Sequence, residues 1–434
     1  MDESKGSGGL GGLNEFVFDV HGEGFYDEPA LEAEERRIFE VCNGCRLCYN
    51  LCPSFNILFE RLDEPGVDGD AEKLTGADLS AVSDACYYCK LCYPKCPYTP
   101  PHEYKLDFPH LAMRRKALNY KKHGASRGAR MLSDPAAMAR RARPAAPLVN
   151  ALNRFRPARK LMAGMIGIHP DAALPPVASK PFSRRLAGLP RPTRSKEKAV
   201  LFTTCLVEGH YPEIGEALVR FLAACGVEVV VPKEQGCCGI PHYDTGDLGA
   251  AVEKARRNVE VLYPYAKEGL PILAPVSTCA MGLATEYPLL VPGEESARVA
   301  EATRDLFDYL ADLKKSGLWP AGEPASLGQV LYHVPCHLKS MARGFKGKDL
   351  LAQLPETTVK LADGCSGHDG TYGIRTETYE DSLKVGRKLF RKVEKAEGIV
   401  ASECPLSCLQ IGHATGSKPV HPVILLARAY GLLA

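Results

Sequence analysis

Cysteines are the residues here best suited to chemistry, and 16 of the 17 fall into two kinds of pattern. The first pattern is written twice. Cys42-Asn-Gly-Cys45-Arg-Leu-Cys48-Tyr-Asn-Leu-Cys52-Pro53 is followed by Cys86-Tyr-Tyr-Cys89-Lys-Leu-Cys92-Tyr-Pro-Lys-Cys96-Pro97. Both copies read C-x2-C-x2-C-x3-C-P, an iron–sulfur ligand spacing in which three thiolates hold three corners of a 4Fe–4S cube and the fourth serves the other cluster. The motif class thus assigns Cys42, Cys45, Cys48 and Cys96 to one cube, and Cys86, Cys89, Cys92 and Cys52 to its neighbour. A pair of zinc knuckles would call for separated C-x2-C pairs, which two tandem runs ending in Cys-Pro fit poorly. A disulfide framework is disfavoured by the odd cysteine count, the length of 434 residues and an N-terminus without secretory character.

The second pattern is spread along the C-terminal half. One set is Cys205, Cys237, Cys238 and Cys279; the other is Cys336, Cys365, Cys404 and Cys408. Flanking glycines, as in Gly236-Cys-Cys-Gly239 and Gly364-Cys-Ser-Gly367, and the duplicated placement favour a metal centre in each set over scattered core thiols. Cys225, beside Phe221 and Leu222, reads as core. His337 and His368 are candidate proton donors or substitute ligands next to Cys336 and Cys365, and with Cys365 they form the candidate catalytic group. The alternative is that these histidines only orient a ligand loop. His333 reads as structural, and Gly370-Thr-Tyr-Gly373 as a place where backbone approaches the second set closely.

Particular elements must position these groups. Helices over Pro29–Val41 and Gly76–Ala85 lead into the two N-terminal runs, and Leu106–Lys122 is helical after them, so a helical two-cluster domain is expected. The spacer Asn56–Thr75, rich in acids and containing Pro65-Gly66, reads as a solvated connection, and residues 1–30 as a mobile tail whose Phe16, Phe18, Phe25 and Tyr26 are candidates for docking on a partner. From Lys198 the pattern becomes strand, Cys, helix, strand, Cys, helix, strand, Cys, and it occurs twice. Strands are expected at 199–204, 227–231, 271–275, 330–334, 357–361 and 398–401, with helices at 212–225, 246–266 and 377–395. This is a duplicated doubly wound unit, in which ligands collect at the carboxyl ends of strands. The expected domains are a tail (1–30), a helical two-cluster domain (31–112), a basic linker (113–197) and two α/β repeats (198–320 and 321–434).

The formal net charge of +2 hides an uneven distribution: from Leu111 to Lys198 there are 21 Lys/Arg against three acids, Asp134, Asp171 and Glu197. This basic belt is either a surface for anionic lipid or an acidic partner, or a linker wrapping its own acidic body. No nucleic-acid module accompanies it, and no apolar run is long enough for a transmembrane helix. A reducing cytosolic location is expected, with the inner face of the membrane as a peripheral one. No G-x-G-x-x-G follows an expected strand, so hydride chemistry belongs to another polypeptide.

The paired C-terminal blocks resemble the cysteine-rich CCG domain found in heterodisulfide reductase subunits and in the C subunit of anaerobic glycerol-3-phosphate dehydrogenase. The likeness runs from about Glu35 to the end, because the order of modules matches too, and Val420–Tyr430 is similar to the family's C-terminal helix. The resemblance implies an α-helical two-cluster ferredoxin domain followed by a duplicated α/β CCG domain. It also implies an unusual non-cubane cluster where a motif has an early Cys, a Cys-Cys-Gly and a late C-x2-C. This chain departs from that pattern in both copies: Gly282 stands where the late partner of Cys279 would be, Ser366 replaces the second Cys of the second copy, and its late pair is spaced Cys404-Pro-Leu-Ser-Cys408. Four candidate cysteines per site leave a further iron–sulfur cluster or zinc open.

The expected function is an oxidoreductase subunit without its own nicotinamide or flavin site. It would carry electrons from a flavin-containing dehydrogenase, or another redox protein, to a quinone or thiol acceptor. The alternatives are a heterodisulfide-reductase-like enzyme and a zinc-stabilised interaction module carrying a ferredoxin domain.

Overall fold

Four long helices build the N-terminal part, each opening on a residue suited to a helix start. The Asp27 carboxylate accepts from the Ala30 N–H ahead of α1 (Glu28–Cys45), Pro53 occupies the first position of α2 (Pro53–Leu62), Thr75 and Asp78 form a reciprocal capping box on α3 (Gly76–Asp84), and Asp107 caps α4 (Phe108–His123). The computed structural model describes residues 18–433, which form two compact units. The first ends at Gly124 and takes in Tyr243–Leu248; the second comprises Ala125–His242 and the chain from Gly249 onward.

In the first unit, Ile38 and Phe39 of α1, Leu79 and Val82 of α3, and Leu111 and Met113 of α4 are buried. The spacer expected to be solvated instead begins as α2. Its Phe55, Leu58, Phe59 and Leu62 follow the i, i+3, i+4, i+7 spacing of one helix face and are all buried, with Phe55 stacked 4.4 Å from Phe108. The expected tail also differs within the described residues: Phe18 and Phe25 are buried, and Arg114 donates to the carbonyls of Phe25 and Gly24 at 2.7 Å each, while Phe16 lies outside the described residues. Arg114, Arg115 and Lys116, where α4 turns basic, are buried. Arg115 pairs with the buried Glu35, and Lys116 Nζ donates to the Cys86 carbonyl at 2.6 Å.

The second unit is α/β. Strands β1 (Glu197–Leu201), β2 (Val227–Val230), β3 (Ile272–Ala274) and β4 (Thr303–Asp305) form a parallel sheet ordered β2-β1-β3-β4, with Ala199 opposite Val229 and Val200 opposite Ile272. Strands β5 (Gln329–His333), β6 (Thr358–Ala362) and β7 (Ile399–Ser402) form a second parallel sheet ordered β6-β5-β7, with Val330 opposite both Val359 and Ile399. In each repeat the first strand lies between the second and the third, so the winding reverses at its carboxyl end, where a doubly wound sheet leaves a crevice. One apolar core serves both repeats: Leu218, Phe221 and Leu222 of the helix Pro212–Ala224 belong to it together with Val330, Tyr332 and Ala401, and with Val423–Leu426 of the C-terminal helix Pro422–Ala429. The chain is thus a helical N-terminal domain followed by a duplicated α/β cysteine-rich domain.

Candidate metal centres

The helix α1 runs through Cys42 to Cys45, so the first two sulfurs stand one turn apart on a helix end, and Arg46 closes that helix in the left-handed conformation (φ 49°). Tyr88 and Lys90, also at positive φ, bend the chain on either side of Cys89. Cys42, Cys45, Cys48 and Cys96 line one cavity together with Cys92, Leu47, Phe55, Phe59, Leu106 and Phe108. Burial raises the Cys42 thiol above the ordinary thiol range, and the neighbouring Cys96, Cys48 and Cys45 raise it further. Cys52 is pushed up to about 12 by burial, by Cys86 and by Cys48, and Cys92 is raised by burial and by Cys89, Cys86, Cys52 and Cys48. Cys96 thus stands near Cys42 and Cys45, and Cys52 near both Cys86 and Cys48. A buried thiolate set of this kind is stable only with a cation among it, and clustered thiolates in an apolar pocket suit an iron–sulfur cube.

The Cys-Pro steps have a local reason. Cys52 stands just before α2 and its sulfur accepts from the N–H groups of Ser54 and Phe55; Cys96 accepts from Tyr98 and Thr99; Cys404, ahead of the helix Pro405–Thr415, accepts from Leu406 and Ser407. At Pro53 and Pro405 proline takes the one position of a helix's first turn where an N–H is not needed, and in all three cases the next two N–H groups point at sulfur.

In the second unit each set collects at the strand ends. Cys205 follows β1, Cys237 and Cys238 follow β2, and Cys279 follows β3; the sulfurs of Cys205 and Cys237 are 4.0 Å apart, and those of Cys238 and Cys279 are 3.4 Å apart. Contact with neighbouring thiols, and then burial, hold Cys205 and Cys238 well above the usual range. Cys237, in contact with both, is pulled below it. A single tetrahedral ion with metal–sulfur bonds of about 2.3 Å would set its sulfurs about 3.8 Å apart. Gly282 has no room for a fifth ligand, since a Cβ there would lie 2.9 Å from Ile240. Cys225 is buried in the apolar core, away from these sulfurs' strand ends.

Around the second set the donors are mixed. Cys336, His337 and Asp369 place a sulfur, a ring nitrogen and a carboxylate oxygen within 4.8 Å of one another, with Cys336 Sγ 3.7 Å from Asp369 Oδ2. Burial lifts both Cys404 and Cys408 toward the neutral thiol; Cys404 adds to the effect on Cys408, and Asp369 to that on Cys404. Cys365 Sγ accepts from the Gly367 N–H at 3.3 Å. Ser366, in place of a cysteine, bonds the Ser407 hydroxyl at 3.1 Å. His333 is held by Ser402 Oγ at 2.9 Å and the Gly364 carbonyl at 3.2 Å, and burial lowers it to about 4; His368 is likewise lowered to about 4, with neither ring nitrogen hydrogen-bonded. Gly373 comes close to the backbone of His368, where a Cβ would meet its Cα and O at 2.9 Å.

The two sets are joined. Thr278, beside Cys279, bonds through Oγ1 to His337 Nδ1 at 2.8 Å, beside Cys336. Sequence reasoning missed Thr278 and Asp369, and also Tyr211, whose buried hydroxyl has no partner and whose phenol is raised by burial and by Cys408. No spacing signal marks these three.

The whole pattern matches known proteins. Residues 35–121 fit the Citrate utilization protein B Fer4-like domain, and residues 199–284 and 330–411 fit the Cysteine-rich domain twice. The C subunit of anaerobic glycerol-3-phosphate dehydrogenase from Escherichia coli (strain K12) is 30% identical over 404 residues, covering 90% of this chain and 98% of that one. The chain belongs to the family of that C subunit. Within the wider group, Lactate utilization protein A 2 of Bacillus cereus (strain Q1) is 26% identical over 222 residues, covering 49% of this chain and 88% of its own length. Lactate utilization protein A of Bacillus pumilus (strain SAFR-032) is 29% identical over 220 residues, covering 48% and 87%. In this chain, no helix among the described residues is long and apolar enough to cross a membrane.

Proposed function

We propose that the chain is the iron–sulfur electron-transfer subunit of a dehydrogenase complex, passing electrons from a flavin-containing partner to a quinone or thiol acceptor, with peripheral membrane contact through the basic 113–197 region. The observation that supports this reading is the gathering of cysteines in the first unit, in a chain aligned along nearly the full length of a dehydrogenase's C subunit. Cys42, Cys45, Cys48 and Cys96 would hold one 4Fe–4S cluster, and Cys86, Cys89, Cys92 and Cys52 the other; when bound, such clusters supply one-electron carriers. The surrounding Phe55, Phe59 and Phe108 exclude water, and the N–H groups after Cys52 and Cys96 stabilise negative sulfur. The second unit supplies the far terminus: Thr278 and His337 connect its two cysteine sets through one hydrogen bond, and Tyr211, His337 and His368 are the groups that could hold or move a proton there. Cys365 and these histidines remain the residues on which a disulfide-reducing activity, as in the heterodisulfide reductase reading, would depend.

One observation favours a second reading for the first C-terminal set. Its sulfur separations of 4.0 and 3.4 Å bracket the edge of a single tetrahedral ion, which suits zinc in a structural role. Metal analysis of anaerobically purified protein separates the readings. About twelve to sixteen Fe per chain supports a relay through both units, and about eight Fe with one or two Zn supports a zinc-stabilised terminus. Fewer than about four Fe, with no absorbance bleached by dithionite, would rule out electron transfer.

A further inference from the structure

Nine large apolar side chains are exposed among the described residues, and five of them fall in one short stretch: Leu148 (60%), Leu152 (42%), Phe155 (57%), Leu161 (65%) and Met165 (70%). They lie on two helices, α5 (Ala146–Leu152) and α6 (Arg156–Ile166), and on the turn between them. On α5 the exposed apolar positions are Pro147, Leu148, Ala151 and Leu152. On α6 they are Pro157, Leu161, Gly164 and Met165, spaced i, i+4, i+7, i+8, which is one face of a helix. A surface helix in water turns such a stripe inward; here it is turned out.

The other side of the hairpin is fastened to the body, so this orientation is built in. Ala146 is fully buried, and Asn150 bonds both the N–H and the carbonyl of Val177 at 2.8 and 2.9 Å. The buried Arg159 donates to the carbonyls of His169, Pro170 and Ala172, while Met162 and Ile166 pack against the cluster of Leu132, Ile168, Ile374 and Tyr379. Charge identifies the occupant of the exposed side. Residues 135–170 contain seven Lys/Arg and no acid, in a protein whose acids otherwise nearly match its bases, and Arg141, Arg154, Arg156 and Lys160 flank the apolar stripe at the surface. Outward Leu, Phe and Met edged by cations is the composition of a helix pair that lies in the headgroup region of an anionic bilayer.

We propose that the outward face of α5 and α6 is a membrane-binding surface for anionic phospholipid, with Leu148, Leu152, Phe155, Leu161 and Met165 entering the interface and Arg154 and Lys160 meeting the headgroups. This rests on the reading of the chain as a peripheral subunit and narrows the 113–197 region to one hairpin. Flotation of the intact, anaerobically purified protein with vesicles tests it. Binding is expected to phosphatidylglycerol-containing vesicles, to fall about tenfold on pure phosphatidylcholine, and to weaken as salt is raised. The double variant Leu161→Glu/Met165→Glu should lose at least about tenfold in binding with an unchanged thermal midpoint, whereas Leu361→Glu, at another exposed position, should bind as wild type. Equal binding by the double variant overturns the proposal, as does absence of wild-type binding to the anionic vesicles. So does a double variant that keeps vesicle binding but loses capture of a purified dehydrogenase partner, because the face would then be a protein interface. Dithionite bleaching in the same samples keeps the two readings apart: protein that bleaches but does not float leaves the relay standing and removes the membrane face. Protein that floats through Leu161 and Met165 but holds no reducible iron does the reverse.

Discussion

At Gly367 a single methyl group decides whether the second cysteine loop can close. The residue has φ +73°, and a Cβ would lie 1.9 Å from the Ser382 carbonyl oxygen, a backbone atom that cannot turn aside. Gly367→Ala should therefore lower stability by about 3 kcal/mol or more in urea unfolding, combining a left-handed conformation with an overlap. Gly416→Ala, at φ +71° with nothing within 4 Å, carries the conformational part alone and should cost about 1 kcal/mol. If both variants lose the same amount, the contact with Ser382 is not restrictive. The cysteines admit a similar contrast. Cys225→Ala removes a sulfur from an apolar core and should cost about 1 kcal/mol with metal content unchanged, whereas Cys205→Ser should lower the metal content. Metal loss from Cys225→Ala would move that residue into the site. The cysteines could be read from the sequence because ligand runs are local and their spacing is specific. Asp369 and Tyr211 could not, because each reaches its set only through the fold: Asp369 through the turn after Gly367, and Tyr211 across from the first repeat to Cys404 and Cys408 of the second.

Elements were legible in proportion to the length of their apolar pattern. The parallel strands β2, β3, β5, β6 and β7 lie within a residue of where their apolar runs put them, and β1 starts two residues and ends three residues earlier than expected. The strand β4 was invisible because Thr303-Arg304-Asp305 has no such run and is a strand only by pairing with β3. Helix α2 was masked by the acidic, Gly- and Pro-containing residues that follow it, although its own buried stripe is regular. The burial of Arg114–Lys116 was not legible because charge type in sequence does not reveal a buried partner such as Glu35. The tie between the two repeats is also an element-level feature. His421, at the start of the C-terminal helix, is buried, accepts the Val423 N–H at Nδ1, and bonds the Pro275 carbonyl at the end of β3 through Nε2 at 3.0 Å. Burial lowers it to about 4, so in the folded protein it stays neutral where the unfolded chain takes up a proton. A depressed histidine costs nothing above about pH 6.5 and subtracts stability as pH falls from there toward 4, by up to about 1.4 kcal/mol per pH unit. His421→Gln should flatten the loss of urea stability between these pH values relative to wild type, while lowering stability at pH 8 through the lost bond to Pro275. An unchanged slope would mean that His421 is protonated in the folded state.

The two units have different sources of stability, and metal removal should expose the difference. The second unit has one continuous apolar core that runs from Phe182 to Leu426 and includes both sheets. The first has helices of ten to eighteen residues in α1 and α2 with its cysteines in the interior: Cys86, Cys89 and Cys92 are buried, and Cys42, Cys45 and Cys48 line a cavity next to Phe55 and Phe59. Without a cation, those inward thiols give neither apolar packing nor satisfied charge, so ligand binding contributes folding free energy there directly. Chelation of oxidised protein with EDTA, followed by hydrogen exchange, is expected to strip protection from the ends of α1 and α2 and from the Cys86–Cys96 loop first, and then from α3 and α4. Strands β1 and β5, which lie in the middle of their parallel sheets, should keep theirs. Protection lost together from both units would mean that they unfold as one cooperative body. Protection kept throughout α1–α4 after iron is gone would mean that the buried Arg115–Glu35 pair and the Phe55–Phe108 contact suffice to hold the helices, and that the clusters are passengers in a unit folded without them.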